Sequence, residues 1–164
     1  GIQIIRFNTR GTSSEAGKSE GEFDQGISEK LDVLAAINYC FDQLKVKDLY
    51  LIGWSFGTEL ALQYGRDTRL KQLILLSPPM LSTTDEDLKF WAKDGRPITA
   101  LIPEHDDYLK PEQAKIRFSN LPNLKQINID GAKHLWVGEP MVYLVLSEIV
   151  KIIAPSRLPL PTEL

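Results

Sequence analysis

Three short segments carry side chains that together could move an acyl group. Gly53-Trp54-Ser55-Phe56-Gly57 presents a serine in a G-x-S-x-G setting, Pro103-Glu104-His105-Asp106-Asp107 offers acids, and Asp130-Gly131-Ala132-Lys133-His134 ends in a histidine. A serine hydroxyl is a weak nucleophile until a neighbouring base takes its proton. Histidine, the side chain that titrates nearest neutral pH, is the usual base. A carboxylate must then orient the imidazole and stabilise its charged form. Of the two histidines, His134 follows Gly131 and Ala132 on a loop and is the expected base, whereas His105 precedes an acidic pair in the reverse order for this role. Ser55 is the expected nucleophile. The acid is left between Asp106 and Asp107, with Glu104 a weaker third. Side chains alternate past a strand end, so only one of the two aspartates should face the histidine.

Each segment also has a plain structural explanation. A glycine-rich turn is often only a turn, a lone histidine is often a surface residue, and an acidic pair ahead of Pro111 resembles a helix entry. The joint order of serine, acid and histidine at three strand exits is what selects catalysis.

The elements that would position these loops follow from the apolar pattern. Strands are expected over residues 2–7, 48–52, 72–76, 98–102 and 124–129, with 2–7 buried. Helices are expected over 28–44, 56–64, 84–93, 111–120 and 139–154. The first of these has Ser28 as N-cap and Leu31, Leu34, Ile37, Cys40, Phe41 and Leu44 as its apolar positions. Gly65 and Gly95 mark helix exits, and Pro111 a helix start. Strands alternating with helices imply an α/β fold: a mostly parallel sheet flanked by helices on both faces, a three-layer sandwich. In such sheets, ligand sites gather where strands exit at their carboxyl ends. The turn at Ser55 should be strained by about 1–3 kcal/mol. Gly53 and Gly57 should both remove Cβ atoms that would clash there. The N–H of Phe56, first after the serine, is the expected oxyanion donor.

Composition excludes several other classes. With 164 residues, 43% hydrophobic and 25% charged, the chain fits one globular domain rather than a disordered or fibrous one. That domain is expected over residues 1–154, followed by a proline-rich tail, 155–164, trailing over the surface. A net charge of −3 with no run of either sign gives no nucleic-acid or anionic-membrane surface. Cys40 is the single cysteine, so no intrachain disulfide can form, and a reducing, cytoplasmic setting is expected. No apolar run nears the roughly 18 residues of a membrane span. The sequence opens on Gly1 rather than Met and runs straight into strand-like residues, which points to a start further upstream. No C-x-x-C, H-E-x-x-H, Walker-type or G-x-G-x-x-G pattern occurs, so neither metal nor organic cofactor is expected.

Four segments together resemble the α/β-hydrolase superfamily, and more narrowly the small, lidless bacterial serine hydrolases of the dienelactone-hydrolase-like group. They are I-R-F-N-T-R-G at 5–11, L-I-G-W-S-F-G at 51–57, the acid segment 101–109 and G-A-K-H at 131–134. The family's acid pattern, H-G-x-x-D-x-x-V, implies Asp106 as the acid and Leu109 as its closing aliphatic, with Pro103 departing from the usual glycine. The family also opens with further strands and an H-G-type loop that supplies a second oxyanion N–H. Nothing here matches that loop, and Gly1 stands near the start of the fourth family strand, so the N-terminal part of the fold is expected to be missing. Only residues 77–97 separate the third and fourth strands, where family members acting on lipids often insert a cap. The resemblance therefore implies an open site for a small soluble ester or thioester. Trp54, Met80, Phe90, Trp91 and Trp136 are candidates to line it, with core packing the competing role.

The expected function is hydrolysis of a small-molecule acyl bond through Ser55, His134 and Asp106, with no nucleic-acid or membrane partner. A non-catalytic binding module of the same fold, and an acyltransferase using the same three residues, are the alternatives.

Overall fold

The structure, a computed structural model, describes residues 2–15 and 17–161. Leucine-, isoleucine- and tyrosine-rich runs pair side by side in parallel as β3 (Tyr50–Trp54), β4 (Gln72–Leu76), β5 (Ile98–Pro103) and β6 (Leu124–Ile129). They lie in the order β3-β4-β5-β6, with Tyr50 opposite Gln72, Leu73 opposite Ile98 and Ile98 opposite Leu124. Ahead of them, β1 (Ser13–Ser14) and β2 (Gly17–Lys18) form a two-residue antiparallel hairpin.

Parallel neighbours need crossovers, and here each is a helix. The three crossover helices are α2 (Phe56–Tyr64), α3 (Asp85–Asp94) and α4 (Pro111–Arg117), while α1 (Glu29–Asn38) precedes β3 and α5 (Glu139–Ile153) follows β6. Because the strands advance in one direction, crossovers of a single hand carry their helices to one face. Alternation along the strands separates two apolar clusters accordingly. Leu73, Leu75, Ile98, Ala100 and Ile102 pack with residues of α1 to α4. Ile74, Leu76, Leu101 and Ile129 pack with Val145 and Ile149 of α5. The sheet is therefore covered from both sides.

Local chemistry sets the helix ends. Thr84 caps α3 through a reciprocal box with Asp87, and Gly95 closes it at φ +77°. Glu59 of α2 is buried, and its carboxylate accepts the N–H groups of Leu81 and Ser82, which fixes the loop after β4. Arg10 grips Asp32 of α1 through Nε and Nη2, tying the N-terminal loop to that helix. The guanidinium holds the Asp32 carboxyl below its usual range.

Several expectations are corrected. Residues 2–7 form no strand, and Ile2, Ile4, Ile5 and Phe7 are exposed. Their apolar character suits a strand, but a strand also needs a ladder, and they pair with none of the described residues. The main sheet thus has four strands rather than five. In α1 the buried stripe runs through Glu29, Val33 and Ile37, leaving Leu31 exposed. The stripe is rotated because the Glu29 carboxylate turns back to accept the N–H groups of Asp24 and Gly26 and is itself buried. Ser28 stands at the N-cap without a side-chain cap bond, since its hydroxyl donates to Asp24. The helix continues into a π turn at Tyr39–Gln43 that buries Cys40. Beyond α5 the chain makes a 3₁₀ turn, Pro155–Arg157, and Tyr143 Oη donates to the Leu160 carbonyl at 3.0 Å. Residues 1 and 16 of the expected domain and residues 162–164 of the expected tail lie outside the described residues. Among the described residues, no helix is long and apolar enough to cross a membrane.

Candidate active site

Strand β3 ends at Trp54 and α2 begins at Phe56, so Ser55 makes the whole turn between them. Its backbone sits at φ +50°, ψ −121°, a conformation that a residue with a Cβ holds only under strain, about 1–3 kcal/mol. The turn is anchored by the Ser55 N–H, which donates to the Leu76 carbonyl at 2.9 Å. On the helix side, the Ser55 carbonyl accepts from the Thr58 N–H at 2.8 Å and its hydroxyl at 2.6 Å.

Glycine is required on only one side of this turn. A Cβ at Gly53 would lie 2.4 Å from the Gly57 carbonyl oxygen and 2.7 Å from the Thr58 Cα. A Cβ at Gly57 would meet nothing within 4 Å. The expectation of two clash-relieving glycines is corrected to Gly53 alone. The first turn of α2 rests directly on the Gly53 backbone, and the approach is one-sided.

Strand β5 delivers the acids. After Pro103 the chain stays pinned beside β6, with the Glu104 N–H donating to Ile129 at 3.0 Å and the His105 N–H to Ala132 at 2.9 Å. Asp106 then turns inward and is 1% exposed. Its Oδ1 accepts the N–H groups of Tyr108 at 2.8 Å and Leu109 at 3.3 Å, and its Oδ2 lies 2.9 Å from His134 Nδ1. Asp107 is exposed. Glu104 is exposed as well, and accepts the Gly131 N–H at 2.7 Å. His105 points to solvent, with Nε2 3.5 Å from Glu104.

The loop after β6 supplies His134, whose ring bridges the other two loops. An ionised Asp106 only accepts hydrogen bonds, so Nδ1 donates to it and Nε2 is left to accept. Nε2 lies 2.8 Å from Ser55 Oγ. Ser55, His134 and Asp106 thus form one continuous chain of contacts. The His134 ring also packs beside Tyr108, centroids 4.9 Å apart. Its main-chain carbonyl accepts two side-chain donors, Ser77 Oγ at 3.0 Å and Trp54 Nε1 at 3.3 Å. Phe56 opens α2, so its N–H has no intrahelical partner and lies at the positive end of the helix dipole.

Of the five aromatic and methionine residues considered for lining, Trp91 and Trp136 are buried in the two cores. Trp91 donates its indole N–H to the Leu62 carbonyl at 2.7 Å. Met80 and Phe90 pack partly buried against the first core. Trp54 remains half-exposed. Tyr108 and Ser77, which touch His134, were not singled out by sequence. Tyr108 fills a spacer position of the acid pattern, and Ser77 is a polar residue closing a leucine-rich strand. Among the described residues, no three histidine, cysteine, aspartate or glutamate side chains gather as a metal-ligand group.

Comparison with known proteins agrees with this architecture. A family model of the alpha/beta hydrolase fold matches residues 1–96, 96 of the 164 residues, a stretch that includes Ser55 and ends before Asp106 and His134. An uncharacterized protein of Rickettsia prowazekii (strain Madrid E) is 28% identical over an alignment of 144 residues that covers 83% of this chain and 59% of that protein. The match therefore spans about three-fifths of the length of that curated relative. Among solved structures, an alpha-beta serine hydrolase homologue from Coxiella burnetii superposes with a TM-score of 0.74 at 24% identity, covering 90% of this chain and 67% of its own. A serine hydrolase without lid from Xanthomonas campestris gives 0.68 at 20% identity, covering 95% and 67%. An esterase from Pyrococcus furiosus gives 0.64 at 19%, covering 86% and 66%. These structural likenesses are likenesses of fold.

Proposed function

The chain belongs to the alpha/beta hydrolase fold family, and from that premise we propose that it is a serine hydrolase cleaving an ester, thioester or related acyl bond of a small soluble substrate. One observation carries the proposal. Asp106 Oδ2, His134 Nδ1, His134 Nε2 and Ser55 Oγ form an unbroken relay with gaps of 2.9 Å and 2.8 Å.

In this reading Ser55 Oγ attacks the substrate carbonyl carbon while its proton passes to His134 Nε2. Asp106 stabilises the imidazolium and keeps the ring in the productive tautomer. The Phe56 N–H and the positive end of α2 face the developing oxyanion, where one such donor is worth about 10²–10³ in turnover. Collapse of the tetrahedral intermediate breaks the bond to the leaving group, which departs with the proton from Nε2. Water then attacks the acyl-enzyme, gives its proton to the same nitrogen and releases the acid. The Ser55 hydroxyl regains its hydrogen in the last step.

A small substrate is favoured by the stretch between β4 and β5, which contains α3, ten residues long, as its only helix. Nothing there resembles a cap that would enclose a lipid chain. Cys40, buried and the single cysteine, fits a reducing compartment such as the cytoplasm. The test is turnover of short-chain p-nitrophenyl esters and thioesters by the wild-type protein and by Ser55→Ala. Removing such a nucleophile is expected to lower kcat by up to about 10⁶. Equal hydrolysis by both proteins would remove Ser55 from the reaction.

A further inference from the structure

We propose that Ser77 is a positioning residue for His134 and that Trp54 assists it. Together they hold the main chain of the base so that its ring stays within proton-transfer distance of Ser55. The proposal rests on the serine-hydrolase reading and adds a residue that the reading does not require.

The first observation is backbone strain. Ser77 follows β4 and is 1% exposed, yet it sits at φ +49°, in the left-handed region that favours glycine. Glycine would adopt this conformation without the strain of a Cβ. A buried serine held there is explained by what its hydroxyl does. Ser77 Oγ donates to the His134 carbonyl at 3.0 Å, across 57 residues of chain. The Ser77 N–H donates to the Leu101 carbonyl at 3.1 Å, so the donor is itself fixed to β5.

The second observation is how the contacts close. A carbonyl oxygen has two lone pairs, and the second donor at His134 is Trp54 Nε1. Trp54 is the chain neighbour of Ser55. The Ser55 N–H in turn donates to Leu76, the chain neighbour of Ser77. Nucleophile and base are thereby tied to the same two strand ends, β3 and β4, and their side chains meet at 2.8 Å. The loop from Asp130 to Gly138 is neither strand nor helix; within it the Trp136 N–H donates to the Lys133 carbonyl at 3.0 Å, a turn that carries His134 and leaves its carbonyl to Ser77 and Trp54. Elsewhere it is pinned at Gly131 and Ala132. Among the described residues, Ser77 and Trp54 make the hydrogen bonds to the His134 main chain.

The variant that separates positioning from simple stability is Ser77→Gly. It removes the hydroxyl and also the strained Cβ. In the full chain, its thermal midpoint is expected to stay within a few degrees of wild type or to rise. Its kcat for a p-nitrophenyl ester is expected to fall about 10–100-fold with KM unchanged, the scale of effect that a displacement near 1 Å produces. Trp54→Phe keeps a ring and loses the donor, and should cause a smaller fall in kcat. Ser77→Cys keeps a weak donor and should recover part of the Ser77→Gly loss.

A second readout does not depend on turnover. The His134 Nδ1 proton, held against Asp106, should give a far-downfield NMR signal, assigned by its loss in His134→Gln. That signal should broaden or vanish in Ser77→Gly. Wild-type kcat together with an unchanged signal in Ser77→Gly would overturn the proposal. So would a thermal midpoint that falls in step with kcat, which would make Ser77 a stability residue. Should wild type fail to hydrolyse any ester, the serine-hydrolase reading fails, and the signal comparison alone still decides whether Ser77 positions the imidazole.

Discussion

Asp106 and Asp107 are neighbours in sequence and opposites in environment. The first is buried, its two carboxylate oxygens divided between His134 Nδ1 and the N–H groups of Tyr108 and Leu109, while the second is exposed. A carboxylate with all its contacts aimed at one imidazole and its own loop is suited to orient that imidazole. One facing solvent is not.

Substitution should therefore separate the pair. Asp106→Asn is expected to lower kcat by about 10⁴, because an amide at that position favours the wrong imidazole tautomer. Asp107→Asn is an exposed change away from any cap or network, and should shift stability by no more than about 0.5 kcal/mol and leave turnover near wild type. Ester hydrolysis by the two purified variants checks the ranking, and the reverse order would move the acid by one residue.

The two glycines of the turn should separate as well. At Gly53 an added methyl meets main chain, the Gly57 carbonyl at 2.4 Å, which cannot rotate away. Gly53→Ala should destabilise the fold by about 1–3 kcal/mol or more. Gly57→Ala meets open space in the first turn of α2, and should be neutral or stabilising by up to about 1 kcal/mol through helix propensity. Urea midpoints of the two variants test this. Equal losses would mean that the helix does not rest on Gly53.

Acid sensitivity should report the pair at the exit of α3. Arg96 Nε donates to Asp94 Oδ1 at 2.6 Å and Nη2 to Oδ2 at 3.0 Å, which holds the Asp94 carboxyl below its ordinary value of 3.8. A carboxyl with a lowered folded pKa contributes stability that is fully present above the unfolded value. That contribution disappears as pH falls through the folded one. Asp94→Asn should thus melt below wild type at neutral pH, and the gap should shrink once pH drops beneath 3.8. Melting curves from pH 7 to pH 2 measure it, and a gap independent of pH would assign the effect to packing.

How far the sequence carries the structure differs from place to place. The strand exits bearing Ser55, Asp106 and His134 are legible because each loop follows a short apolar run with distinct period and turn residues. The sandwich follows from the same alternation. Residues 2–7 misled because strand propensity describes a surface that suits pairing and does not name a partner. Leu31 misled because a buried, hydrogen-bonded Glu29 turned the stripe of α1, which a rule for apolar spacing does not see. Asp106 and Asp107 were indistinguishable by alternation, which sets parity and not direction; the family pattern pointed to Asp106. Ser77 stayed hidden because a hydroxyl donating to a distant main-chain carbonyl leaves no pattern in the residues around either partner.

The most direct measurement is covalent capture of the nucleophile. Wild-type protein incubated with a fluorophosphonate and digested should carry the adduct on the peptide containing Ser55, at close to one per chain. His134→Gln should label far more slowly, since the base that activates the hydroxyl is gone. An adduct on another residue, or equal labelling of wild type and Ser55→Ala, would contradict the account.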